Sequence, residues 1–147
     1  MRRSSEWSDD RGSASIEFLV AGFVLLIPVV YLMIAMSSIQ SASFAVEGAA
    51  RQAARVFVES PDDASARDAM ARAVEFALVD HGVDPTAASV SITCDSDPCL
   101  TRRGTVTVSV ALAAQLPLMP PVAGTIPLTI PLDASATQRV SRFWSGG

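Results

Sequence analysis

Lysine is absent from this chain of 147 residues, and all eleven basic side chains are arginine, a pattern that reads as coding bias before function. Basic charge is also in deficit. The net charge is −4 and the isoelectric point about 4.8. That balance argues against a nucleic-acid partner, because neutralising phosphates takes a basic surface. Histidine occurs once, as His81. A base with neither nucleophile nor metal partner reads as a helix-end residue, where it also suits the dipole. No glycine-rich phosphate loop and no nucleophile elbow is present. Cysteine is limited to Cys94 and Cys99, and two thiols alone cannot close a tetrahedral metal site. Asp95, Asp97 and Asp133 suggest calcium, but a lone Asp-Ser-Asp lacks the spacing of a calcium loop and reads as turn residues. No cofactor, metal or catalytic residue is expected, and the chain is expected not to be an enzyme.

What is abundant is apolar sequence. From Phe18 to Ile39 no side chain is charged, and a run of roughly 20 apolar residues matches the hydrocarbon thickness of a bilayer. One carboxylate, Glu17, stands at its threshold. A lone carboxylate entering hydrocarbon costs a few kcal/mol unless neutralised or paired. A plainer role for Glu17 is that of an acid in the first helical turn, favoured by the dipole. Pro28 sits mid-span, where membrane helices tolerate it with a kink. Arg2, Arg3 and Arg11 precede the run, whereas the far flank offers Arg51 and Arg55. The arginine asymmetry favours the N-terminus on the cytoplasmic side and the remainder outside. A secretory signal is the rival reading, with a small-x-Ala site at Ser43-Phe44-Ala45, but signal cores usually span only about 7–15 residues. On the outer side a disulfide between Cys94 and Cys99 is the default state.

The helix is expected to continue beyond the run to about Glu59, roughly 70 Å at 1.5 Å per residue. Glu47, Arg51, Arg55 and Glu59 recur every four residues as a polar stripe. Ala45, Ala49, Ala53 and Val56 fall on another face with Gly48 and Ala42, and these small residues would let a partner helix approach closely. Pro61 ends the helix. Ser60 as cap, Pro61 as first residue and Asp62 with Asp63 at the dipole predict a second helix. Its apolar stripe is Met70, Val74, Ala77 and Leu78, and Gly82 stops it. The period then changes to two. Val90, Ile92 and Cys94 alternate with hydroxyl residues, as do Val106, Val108, Val110 and Leu112, which predicts a hairpin. Leu116 to Pro131 holds five prolines, which excludes a membrane helix or a central strand and predicts a long loop. Leu132, Ala134 and Ala136 mark a third strand, and the tail from Arg142 is expected to be loose.

The segment Gly12-Ser13-Ala14-Ser15-Ile16-Glu17-Phe18 resembles the processing site of type IV prepilins, with a glycine followed by glutamate at the fifth mature position. With Arg11 before it and Ala49-Ala50-Arg51-Gln52-Ala53-Ala54-Arg55 beyond the membrane run, the chain is similar to the TadE-like pseudopilins of tight-adherence (Tad, Flp) pili. The Val106–Val110 strand and the Pro/Leu-rich loop before Ala134 extend the resemblance. It implies cleavage between Gly12 and Ser13 by a prepilin peptidase, and assembly contacts at Glu17 and Phe18. It also implies other pilins or pseudopilins of the Tad apparatus as partners, in adhesion or surface transport. Many members carry a second carboxylate near the outer end of the span, where this chain has Met36-Ser37-Ser38, so a TadE-type or TadF-type assignment stays open.

The expected architecture is α+β and pilin-like. A leader occupies 1–12 and a transmembrane helix 13–39. The extracytoplasmic domain, 40–147, holds the extension of that helix, a second helix and about three antiparallel strands. The expected location is the cell membrane, single-pass, with the C-terminal domain outside. A membrane-tethered or secreted binding domain unrelated to pili is the alternative.

Overall fold

The computed structural model of the chain describes residues 13–117 and 129–145. The expected leader and most of the proline-rich stretch lie outside them. Two compact units are present, Met1–Met36 and Ser37–Gly147. Helix α1 spans Ser13–Glu59 and α2 spans Asp63–Asp80. A 3₁₀ turn at Pro85–Ala87 leads into β1 (Ala88–Cys94), followed by β2 (Thr105–Gln115) and β3 (Thr129–Arg139). The long N-terminal apolar helix, second helix and three-stranded antiparallel sheet agree with an α+β, pilin-like fold.

In the first unit α1 turns its large side chains outward. Phe18 is 78% exposed, and Leu25 and Met33 are similarly open. Its most apolar window has a mean hydropathy of 2.7, and the helix is long and apolar enough to cross a membrane. Pro28 lies inside it.

In the second unit α1 changes character. Ala42, Ala45, Val46, Ala49, Ala50, Ala53, Ala54 and Phe57 are buried. Their spacing of three and four is that of a broad core-facing stripe. The small residues do admit a close neighbour, but that neighbour belongs to the same chain. They form one cluster with Met70, Val74 and Leu78 of α2, the valines of β2, Leu100 and Val140.

The second helix starts two residues later than the Ser60 cap predicts. Asp62, in extended conformation, is the cap, and its carboxylate accepts the Ser65 N–H at 2.8 Å and the Ser65 hydroxyl at 2.9 Å. An ionised carboxylate is the stronger acceptor for an orphan helix N–H. Ser60 turns back, its hydroxyl donating to the Val56 carbonyl at 2.7 Å. At the other end His81 caps α2, and Gly82 takes a φ of +70°, a conformation that favours glycine.

The sheet order is β1-β2-β3, both pairs antiparallel. Central β2 buries Val106, Val108, Val110 and Leu112 and turns Thr105, Thr107 and Ser109 outward. Two expectations need correction. Thr129–Pro131 belong to β3, where Pro131 sits opposite Ala113; on an edge strand a proline need not donate a ladder bond. Within the tail from Arg142, Trp144 is docked, its indole N–H donating to the Ser60 carbonyl at 3.0 Å.

Candidate functional site

The N-terminal segment carries the residues singled out from the sequence. Gly12 lies outside the described residues, and Ser13–Glu59 are helical. Glu17 is exposed and makes no hydrogen bond or ion pair among the described residues. Ser13 and Glu17 are four apart, which places them on one helix face.

A second constellation lies at the corner between α1 and α2. Cys94 and Cys99 form a disulfide, their Cα atoms 5.3 Å apart, so neither thiolate is free to ligate a metal. The closed loop is tied down by Asp63, whose two carboxylate oxygens accept the N–H groups of Cys99 at 3.2 Å and Leu100 at 3.1 Å. The indole N–H of Trp144 donates to the Ser60 carbonyl at 3.0 Å, and the Arg102 guanidinium donates to the Trp144 carbonyl at 2.7 Å. Three regions distant in sequence are thus fastened together: the corner between α1 and α2, the disulfide loop with Arg102, and the chain after β3. Gly104 completes the join. A Cβ there would lie 2.8 Å from the Thr101 carbonyl oxygen.

The disulfide was legible from compartment and spacing, but Asp63 was read only as a helix-start acid, and Arg102 and Trp144 were not singled out. Asp63 carried a signal, since a second acid after the cap has no capping duty left. Trp144 carried a weaker one, as a large amphipathic ring in a segment otherwise read as loose.

Carboxylates on these turns are held as anions. Backbone and hydroxyl donors of Ser65 keep Asp62 below its ordinary pKa, and those of Thr86 do the same for Asp84. Asp95 is lowered chiefly by a backbone hydrogen bond from Thr105. Each acts as a turn anchor, as their hydrogen-bond partners dictate. No set of three or more His, Cys, Asp or Glu side chains converges on a point among the described residues.

No protein-family model, curated protein or solved structure matches the chain.

Proposed function

We propose that this chain is a pseudopilin of the TadE-like kind. It is a single-pass membrane subunit with its N-terminus in the cytoplasm and residues 40–147 outside, cleaved between Gly12 and Ser13 by a prepilin peptidase. It works by contact with other pilins or pseudopilins in assembling a Tad-type pilus for adhesion or surface transport. The observation that carries this reading is the Gly12…Glu17 spacing in the sequence, set directly ahead of one apolar helix that runs without interruption through the membrane-length stretch.

Cleavage gives Glu17 a partner. The new α-amine of Ser13 has a reference pKa of about 8 and is positive at neutral pH. In staggered neighbouring subunits the amine of one can meet the Glu17 carboxylate of the next. An unpaired carboxylate is unfavourable in the bilayer and a paired one much less so. Glu17 thereby sets register and favours assembly over free diffusion.

N-terminal sequencing of membrane-extracted protein tests the processing step, and a start at Ser13 is expected. A start near Phe44 or Val46 would indicate a cleaved secretory signal, and an intact Met1 or Arg2 would remove the pilin reading. Glu17→Gln and Glu17→Ala should leave membrane level nearly unchanged while weakening co-purification with other pilins and reducing piliation. Normal pili in Glu17→Ala cells would refute its role in register.

A further inference from the structure

Helix α2 shows solvent a face that its own chain does not cover. Ala66, Met70, Val74 and Leu78 fasten it to the core. At about 100° per residue, the direction opposite that stripe falls close to Phe76. The Phe76 ring is 74% exposed, and Val79 on the same side is 56% exposed. Beside the ring runs a groove of about 560 Å³, floored by Ala69, Ala73 and Ala77 of α2 and bordered by Gln52 of α1.

Two charges flank the ring. Arg72, Phe76 and Asp80 are spaced by four and so share one helix face. All three are exposed, and all three line the groove. Among the described residues the only ion pairs are Arg51–Glu47 and Arg55–Glu59, which leaves Arg72 and Asp80 without a charged partner there. A cation and an anion thus stand on either side of an exposed aromatic ring, each about 6 Å from it along the helix axis.

We propose that this face pairs with the same face of a second copy of the chain, the two α2 helices running antiparallel about a twofold axis at Phe76. Such an axis sets each position opposite the one equally far from Phe76 on the other copy. Arg72 then meets Asp80 of the second copy, and Asp80 meets its Arg72, so one operation answers both charges. Ala73 faces Val79, a small side chain against a large one, and the two Phe76 rings pack offset beside the axis, at the alanine grooves. The other acids do not oppose one another along the paired helices. Glu75 lies opposite Ala77, and Asp68 is carried past Asp80, where the partner's helix has ended. The exposed stripe of α1 offers no such match. Its charges are already paired within the helix, and a twofold axis at its centre would set Glu47 against Glu59. An unrelated partner would have to supply an acid, an apolar group and a base in the reverse order, which this helix already does. The paired stretch, 72–80, is short, so the dimer is a weak one, with a Kd on the order of 0.1 mM. The proposal does not rest on the pilin reading.

The test is sedimentation of the full-length chain in density-matched non-ionic detergent, up to about 1 mM. A monomer–dimer equilibrium is expected. Arg72→Asp sets acid against acid at both ends of the contact, and Asp80→Arg sets base against base. Each should weaken the dimer by about tenfold or more, and the two substitutions together should restore it to within about threefold of the parent. An unaltered urea midpoint in all three keeps a folding defect from imitating the result. Position 76 is checked independently. The parent has no free cysteine, so copper–phenanthroline in air, with oxygen as oxidant, should join two copies of Phe76→Cys through one new disulfide and leave Ala71→Cys, on the far flank of the helix, largely unjoined. A chain that stays monomeric throughout overturns the proposal. So does a dimer that both single reversals leave intact, which would place the contact elsewhere, for instance along the apolar run of α1. Failure of the double reversal to restore the dimer, or equal cross-linking of Ala71→Cys and Phe76→Cys, overturns it as well.

Discussion

Replacing Asp63 with alanine should be among the most damaging single changes to the second unit. Its carboxylate accepts two backbone N–H groups, and one belongs to Leu100, a residue only 1% exposed. Hydrogen bonds to a charged group contribute about 1.5–3 kcal/mol each. At 3.1 and 3.2 Å these bonds lie at the long end, which places them at the low end of that range. Together they amount to about 3 kcal/mol. Asp63 is half-buried, so water can replace part of the interaction after truncation, and a loss of about 2 kcal/mol remains. For a unit of this size that corresponds to a fall in Tm on the order of 8 °C. Asp63→Asn keeps an acceptor oxygen without the charge and should lose about half as much. Asp68→Ala, an exposed acid on the same helix with no hydrogen bond among the described residues, should stay within about 0.5 kcal/mol of the parent. The assay is urea unfolding of the full-length chain in non-ionic detergent. Trp144 fluorescence reports the transition in a Trp7→Phe background. Equal stabilities for Asp63→Ala and Asp68→Ala would refute the assignment of Asp63 as the anchor of the disulfide loop.

Two further outcomes follow from the same corner and its turns. Replacing both cysteines with alanine opens a loop of sequence separation five, so the loss should sit at the low end of about 2–4 kcal/mol; a loss above that range, read from the urea midpoint, would mean that the disulfide does more than close the loop. Asp62, Asp84 and Asp95 have carboxyls depressed below 3.8 in the folded state. Their stabilisation is therefore present above that value and lost as pH falls below it. The urea midpoint should drop below about pH 4, and Asp62→Asn should flatten that drop. An identical pH profile in Asp62→Asn would sink the argument.

The parts of the fold that announced themselves were those with one strong period. The β2 valines alternate with hydroxyl residues over the whole strand, so face and register were both readable. The apolar run of α1 was readable from length alone. What was hidden depended on tertiary competition. Ser60 looks like a cap because its type is right, but Asp62 supplies a better acceptor two residues later, and Ser60 is drawn into holding Trp144. The alanines of α1 fit a partner helix from another subunit as well as they fit the chain's own core. Only the folded arrangement distinguishes the two, because alanine states how near a neighbour can come and not which neighbour it is. At the N-terminal site the spacing of Gly12 and Glu17 was fully legible.

The bond from Trp144 to Ser60 joins residues 84 positions apart in the chain, and this sets an order of events during synthesis. Helices α1 and α2 and the β1–β2 hairpin are built from neighbouring segments and can form as each emerges. The corner between the helices cannot be fastened until the polypeptide is available through Trp144. Loop closure over such a separation is slow compared with local helix and hairpin formation. Until then the α1–α2 junction lacks its last fastening, and β2 presents an unpaired edge to its surroundings. For a chain whose N-terminal helix is fit to enter a bilayer early, most of the second unit must wait, partly assembled, for its final residues. A stalled or truncated chain would therefore expose an open sheet edge, which invites aggregation.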